Sequence, residues 1–374
     1  MSARRAWLTL HLWLGLSLGL WFVLVGLTGS LLVFYPQIDR WLQPRPAVEG
    51  HCTGPLAWQP VLEALQAAAP AGATGRWRLE LPRGPGVPVH ARLQDAAAAS
   101  KLHAPLLFSV DPCTLQVVPR GRWGETAMTF VYDLHYQLLL EHAGREAVGW
   151  GGLVLCLSLA SGLLLWWPRG AWWPALRPQW RRGAARRTWD LHTRAGVYGS
   201  GLLLLLALTG SLLAWPARLD SWLQPLSPPR STPALAARPL PGQSPISVDV
   251  ALRAARHTLP DAEPRWMDTP ADAQGVFRIR LRQPGDPGDR FPHSYVWIDA
   301  YDGRVLAVHD ARRQGAGDAL LAWLHPLHNG EALGLAGRWL VLVSGLLPAL
   351  LAITGWLRWR QKRAPRGRLL SDRR

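Results

Sequence analysis

Acidic and basic side chains are missing from four stretches of this 374-residue sequence: 6–35, 147–167, 195–217 and 339–357 contain no Asp, Glu, Lys or Arg. Each is close to the ~20 apolar residues that cross a ~30 Å hydrocarbon core. A segment in lipid must satisfy its own backbone hydrogen bonds, and a helix does so. The absence therefore disfavours an ordinary globular core and predicts four membrane-spanning helices. It also disfavours a permease, whose pathway would need intramembrane carboxylates or bases. No small-residue cleavage site follows the first run, so Arg4-Arg5 and the run after it are expected to be a retained helix rather than a signal peptide. Cysteine is scarce, with three residues. Cys156 lies inside the second run and reads as a small packing residue. Cys52 and Cys113 share a long loop in which an oxidising compartment would permit a disulfide.

The formal net charge of +16 would point to nucleic acid if it covered a soluble fold. It lies instead at the ends of the apolar runs. Arg4 and Arg5 precede the first; Arg169, Arg177, Arg181, Arg182, Arg186 and Arg187 separate the second from the third; Arg358, Arg360, Lys362, Arg363, Arg366, Arg368, Arg373 and Arg374 follow the fourth. The only carboxylates there are Asp190 and Asp372, so these segments carry +14 of the +16. The positive-inside rule makes them cytoplasmic, with both termini inside and loops 36–146 and 216–333 outside. That distribution predicts a bacterial inner-membrane protein and no nucleic-acid partner.

The chain repeats itself. His11, Leu27 to Leu32, Asp39, Trp41, Gln43 and Pro44 recur at an offset of 181 as His192, Leu208 to Leu213, Asp220, Trp222, Gln224 and Pro225. An offset of 193 carries Leu134-His135 onto Leu327-His328, Ala143-Gly144-Arg145 onto Ala336-Gly337-Arg338, and Gly162 onto Gly355. Each half crosses the membrane twice, so the halves share one orientation and form a parallel repeat. The expected order is helix 1–35, outer domain 36–146, helix 147–168, basic loop 169–190, helix 191–217, outer domain 218–333, helix 334–358 and basic tail 359–374. Each outer loop opens on a helical stretch, Pro55 to Ala69 and Ser247 to Leu259, and continues into alternating strands. Trp77, Leu79 and Leu81 alternate with Arg76, Arg78 and Glu80; Phe277, Ile279 and Leu281 alternate with Arg278, Arg280 and Arg282. Val110-Asp111-Pro112 and Ile298-Asp299-Ala300 read as closing turns, and the Pro-rich stretches 223–242 and 283–293 as linkers.

A histidine in a membrane span is costly without a partner, which makes it a functional candidate. His11 and His192 sit at equivalent depth in spans one and three, on the cytoplasmic side. His135 and His328 sit at equivalent positions outside, ahead of spans two and four. Taken singly, each would read as a packing residue; four that keep register through a duplication are the ligands expected of two bis-imidazole haems. Apolar walls and glycines such as Gly15, Gly19, Gly26, Gly196 and Gly199 would leave room for the macrocycle. No Cys-x-x-Cys-His occurs, so the haem would be b-type and non-covalent. Arg145 and Arg338 outside, and Arg187 and Arg194 inside, are candidates for propionates. His325 lies three residues before His328 and is an alternative ligand; His142 reads as a surface or substrate-side group. Zinc normally takes four ligands and these pairs offer two each. Trp166, Trp167, Trp172 and Trp173 form an interfacial belt, while Trp7 and Trp13 are placed to pack a porphyrin face.

Trp7-Leu8-Thr9-Leu10-His11 with Gly15, Asp190-Leu191-His192 with Gly196, Asp133-Leu134-His135, and Leu324-His325-Pro326-Leu327-His328-Asn329-Gly330 resemble the PepSY-associated transmembrane family. These are iron-regulated, PiuB-like membrane proteins that include bacterial inner-membrane ferric-siderophore reductases. The resemblance covers nearly the whole chain. It implies PepSY-type domains in both outer loops, haem in a four-helix bundle held by His11, His192, His135 and His328, and electron transfer to a periplasmic ferric siderophore or other ferric chelate. No flavodoxin-like or nicotinamide-binding segment follows the last run, so it implies a separate reductase, a soluble flavin or a membrane quinol as donor. PepSY modules are also associated with protease inhibition, which leaves a non-enzymatic alternative: anchored outer domains that bind a peptidase, an envelope protein or a siderophore.

Overall fold

The computed structural model describes residues 2–43, 46, 56–84, 86–95, 104–177, 183–230, 234–239 and 242–363. Cys52, Pro55, Arg181, Arg182, Arg366, Arg368, Arg373 and Arg374 lie outside them. In chain order the elements are α1 (Ala3–Val33), α2 (Tyr35–Leu42), α3 (Trp58–Ala67), β1 (Gly75–Glu80), β2 (Val89–Asp95), β3 (Leu106–Val110), β4 (Val117–Arg122), α4 (Ala127–Gln137) and α5 (Glu141–Trp166). Then follow α6 (Trp172–Leu176), α7 (Ala184–Ala214), α8 (Pro216–Leu223), α9 (Val248–Thr258), β5 (Glu263–Asp268), β6 (Phe277–Arg282), β7 (Ser294–Ile298), β8 (Val305–His309), α10 (Ala316–Asn329), α11 (Gly334–Ser344) and α12 (Leu347–Arg363). They fall into two compact units: a helical one of Met1–Phe34, Asp133–Pro216 and Leu327–Arg374, and a sheet unit of Tyr35–Tyr132 and Ala217–Pro326.

Among the described residues, the helical unit contains four segments long and apolar enough to cross a bilayer, Ala3–Val33, Glu141–Trp166, Ala184–Ala214 and Glu331–Arg363. This is a multi-pass membrane protein. The first three helices run beyond the charge-free stretches; α7 starts at Ala184, seven residues before the expected 191, because its first turns are held by Arg186 and Arg194 on Asp190. The fourth span is two helices rather than one. Pro348 has no N–H to offer the Ser344 carbonyl, and the Leu346 amide bonds instead to Val343, three residues back (3.1 Å). Around the bundle α1 packs on α5 and α12, and α7 packs on the same two, so α1 and α7 are diagonal.

Small residues set these crossings, as they must where lipid supplies no hydrophobic drive between helices. The two halves use the same device. Ser30 Oγ donates to the Leu342 carbonyl, and its repeat mate Ser211 Oγ donates to the Gly149 carbonyl, both at 2.8 Å. A Cβ on Gly345 would strike Ser30 Oγ and the Gly26 carbonyl; one on Gly152 would strike Ser211 Oγ and the Ala207 carbonyl.

In the sheet unit the two long loops do not fold as separate domains. They form one antiparallel sheet of eight strands, ordered β4-β3-β2-β1-β5-β6-β7-β8. The seam pairs Arg78 with Asp268, Leu79 with Met267 and Glu80 with Trp266. One face is apolar and is covered by α3 and α9, whose Val61, Leu65, Val248 and Leu252 pack with Leu79, Met267, Ile279 and Val296 in a single core. The halves also cap one another: Asp249 accepts from the free amides of Trp58 and Gln59 at the start of α3 (2.9 Å each), and Gln59 Oε1 accepts from Val248 N (3.1 Å). The aspartate turns are as expected, with Asp111 accepting from Cys113 N (2.8 Å) and Asp299 from Tyr301 N (2.8 Å). Cys113 is disulfide-bonded and Cys156 is free.

The other face is polar. Arg290 clasps Glu80 through Nε and Nη2 (3.0 and 2.8 Å). Burial alone would raise the Glu80 pKa; the Arg290 charge and its hydrogen bonds outweigh that and hold the carboxyl down at about 2. The folded value lies below the ordinary 4.5, so the pair's contribution to stability is present above that value and is lost as pH falls through about 2. Denaturation of the protein between pH 6 and 2.5 should therefore show Glu80→Gln losing its destabilisation relative to wild type toward the acid end. In the bundle, Gly345→Val should lower stability by about 1–3 kcal/mol. Thermal unfolding in detergent measures it, with Gly201→Val, where nothing lies within 4 Å, as the silent control.

Candidate functional site

Each repeat-matched histidine is seated on a neighbouring helix in one and the same way. His11 on α1 has Nδ1 at 3.1 Å from the Ser158 carbonyl and 3.0 Å from Ser161 Oγ of α5. His192 on α7 has Nδ1 at 3.1 Å from the Leu351 carbonyl and 3.0 Å from Thr354 Oγ1 of α12. His135 at the end of α4 sits on α1, with Nδ1 at 3.0 Å from the Val25 carbonyl and 3.1 Å from Thr28 Oγ1. His328 at the end of α10 sits on α7, with Nδ1 at 3.0 Å from Thr209 Oγ1. In every case the next residue after the hydroxyl is glycine, and the ring lies against it: a Cβ on Gly162, Gly355, Gly29 or Gly210 would come within 3.1, 3.3, 2.9 or 2.9 Å of the imidazole Cε1.

A carbonyl only accepts, so Nδ1 carries the proton in His11, His135 and His192. The Thr209 hydroxyl already donates to the Leu205 carbonyl (2.7 Å), so it too accepts, and His328 is the same tautomer. Nε2 is then the basic nitrogen in all four, and the second-sphere bond fixes the ring's orientation, as it does for metal-bound imidazoles.

The rings meet in two pairs. His11 and His192, on diagonal helices, have centroids 6.1 Å apart with planes at 76°; His135 and His328 have centroids 6.2 Å apart at 47°. A metal–imidazole bond of about 2.0 Å added to about 1.1 Å from nitrogen to ring centroid gives about 6 Å across a linear imidazole–metal–imidazole unit. Both separations fit one metal between two rings. Eighteen residues separate His11 from Gly29 on α1, and His192 from Gly210 on α7, so the two levels are about 27 Å of helix rise apart. Among the described residues no group of three or more His, Cys, Asp or Glu gathers; each pair brings two imidazoles together. Arg145 Nε and Arg194 Nε and Nη1 are buried without a hydrogen-bond partner, donors that suit an anionic group.

The chain matches the PepSY-associated TM region over residues 8–362. It belongs to the PepSY-associated transmembrane family. It is also 28% identical over 258 residues to an uncharacterized protein of Pseudomonas aeruginosa. The alignment spans 64% of each chain.

Neither of the two remaining candidate histidines joins a pair. His325 belongs to the sheet unit, edge-on to Phe291 (5.4 Å), and His142 is exposed on the first turn of α5. Arg194 bonds the Arg177 carbonyl (3.0 Å) and pairs with buried Asp190 (3.4 Å). Arg338 bonds the Val33 carbonyl (2.6 Å) and lies over Phe34 (4.3 Å). Arg145 faces the Tyr136 ring (6.0 Å). Arg187 is exposed, as are Trp7 and Trp13 (37% and 61%). The ring-seating glycines are Gly29, Gly162, Gly210 and Gly355, whereas Gly19 meets Ala352, Gly196 and Gly199 meet leucines, and Gly26 serves a helix crossing. The Ser/Thr-Gly dipeptides were visible in the repeat, but nothing in sequence alone tied them to the imidazoles. A structure of Gly29→Leu should show the His135–His328 separation widened beyond 6.2 Å, because the new side chain needs the space the ring occupies; an unchanged separation would show that the glycine is not its seat.

Proposed function

We propose that this protein is a haem b-containing inner-membrane oxidoreductase that moves electrons across the bilayer and reduces a periplasmic ferric chelate of the siderophore class for iron acquisition. One observation carries the reading: two pairs of imidazoles, each pair spaced for a single metal, at two levels of one bundle. His11 with His192, and His135 with His328, would each hold one haem iron. Bound haem supplies one-electron redox chemistry at a potential set by its ligands and surroundings. The chain does the rest. Ser158 and Ser161, Leu351 and Thr354, Val25 and Thr28, and Thr209 hold the Nδ1 protons and leave each Nε2 as the basic nitrogen. The apolar helix walls exclude water. Arg145 at the outer level and Arg194 at the inner, with buried nitrogens that lack a hydrogen-bond partner, would meet the propionates. The basic ends of the spans support a cytoplasmic place for both termini. The donor is a cytoplasmic reductase, a soluble flavin or a membrane quinol. One electron converts the ferric ion of the substrate to ferrous, which hard oxygen ligands hold less tightly.

A second reading is favoured by a different feature. The sheet unit has a complete core and mutual caps of its own, so it is equipped to bind a peptidase, an envelope protein or a siderophore while the helices only anchor it. The experiment that separates them is optical. Haem-replete purified protein should show a reducible b-type spectrum, with the double variant His11→Ala/His192→Ala losing about half the haem by pyridine haemochrome assay. A colourless wild-type protein would remove the redox reading and leave the binding one.

A further inference from the structure

The polar face of the sheet carries a second repeat-matched constellation. At an offset of 188 the two halves of the sheet align, placing Glu80 with Asp268, Arg92 with Arg280, Leu93 with Leu281 and Asp111 with Asp299. Arg92 on β2 lies opposite Arg78 on β1, and Arg280 on β6 lies opposite Trp266 on β5, so the two arginines occupy equivalent registers on either side of the β1–β5 seam. A pocket open to solvent lies among Arg78, Arg92, Arg278, Arg280, Asp268 and the rings of Trp266 and Phe291.

Its charges do not balance. Arg78 and Arg278 both close on Asp268 (2.6 and 2.5 Å), and the neighbouring carboxylate, Glu80, is taken by Arg290. Among the described residues no carboxylate pairs with Arg92 or Arg280. Arg92 lies over Trp123 and Trp266 (4.8 and 5.4 Å), and Arg280 lies over Tyr295 and Phe291 (4.8 and 5.9 Å) and donates to the Tyr295 hydroxyl. Ring faces hold a guanidinium in place but bring no formal charge. Burial, with the positive charge of Arg290 added to it, pushes the Arg92 pKa down; burial does the same at Arg280. Four guanidinium groups therefore line a half-enclosed pocket with one carboxylate, a net +3. The aromatic walls keep the donor planes fixed before any ligand arrives, which lowers the cost of ordering them on binding.

We propose that this pocket binds a small polyanion bearing carboxylate or phosphate groups, with Arg92 and Arg280 as its two symmetry-related donors. The inference goes beyond the redox reading and does not depend on it, since it needs neither haem nor an electron donor. The guanidinium fork suits carboxylate and phosphate oxygens alike, so the ligand is a free polycarboxylate or pyrophosphate-like anion, or the headgroup of an anionic lipid.

The test is titration calorimetry on the full chain in two arms. In the first arm, in neutral detergent, the probes are citrate and pyrophosphate; in the second, in the same detergent, the probe is short-chain phosphatidylglycerol, with short-chain phosphatidylcholine as the control. Wild type should bind in one arm, soluble anion identifying a free ligand and phosphatidylglycerol alone identifying a headgroup. Arg92→Gln/Arg280→Gln should weaken binding by about tenfold per arginine, with Arg92→Lys/Arg280→Lys intermediate; the lysine variant keeps the charge and guards against a folding defect in the glutamine one. Haem content of the same preparations should be unchanged. Absence of binding in both arms, or binding indifferent to either double variant, would overturn the site. So would loss of haem along with anion binding, because the arginines would then serve the cofactor. A colourless wild type that still binds anion would sink the redox reading and leave this one standing.

Discussion

An imidazole surrounded by lipid-facing helices has no water to complete its hydrogen bonds, so its Nδ1–H must find an acceptor on the protein. In this bundle that acceptor is a backbone carbonyl or hydroxyl of the neighbouring helix, beside a glycine that the ring meets with its Cε1 edge. The requirement reaches far. A carbonyl accessible to a side chain must come from a helix whose hydroxyl can sit beside it, and the glycine that follows lets the helices approach until the ring is clamped. The same arrangement appears at His11, His135, His192 and His328, so one rule sets both the helix spacing and the direction of the remaining nitrogen.

Duplication gives that rule its chemical meaning. Half of the chain supplies one seated imidazole at each level, and a single imidazole is a weak site. Two halves in parallel supply two at each level, at a separation a single metal can bridge. The same logic holds in the sheet, where each half brings one arginine of the pair at 92 and 280 and one acid of the pair at 80 and 268. Serines 30 and 211 show that the helix crossings obey it too. Each imidazole is seated within its own half, whereas the serine crossings tie one half to the other.

Much of this was legible in the residues. Charge-free runs mark the spans because lipid tolerates so few exceptions, and gapless register marks the histidines because a duplicated chain compares itself. The seats were harder to read. Thr28-Gly29 and Thr209-Gly210 stand within the repeat, but small residues in a span serve helix crossings as often as they serve a side chain, as Gly26 and Gly345 do here. The break in the last span turns on Pro348, which lies near the middle of an otherwise uninterrupted apolar run. The merging of two loops into one sheet was not legible at all. Alternation in Trp77 to Leu81 says which face is buried and is silent on which strand lies alongside, so the partnership of β1 with β5 and the arginine pocket that straddles it both escaped notice.

That partnership has a consequence for how the molecule comes into being. β1 is complete by residue 80, but β5 begins at residue 263, and two further apolar spans are made in between. At about 5–20 residues per second, roughly 10–40 s elapse during which one edge of the nascent N-terminal half offers unpaired backbone groups to any other strand that drifts past. Its interior stays open for as long, since α9, which covers the shared core, is still unmade. A period of vulnerability is thus written into the order of the gene product, and whatever shields that unfinished border during biogenesis is as necessary to the finished protein as any side chain within it.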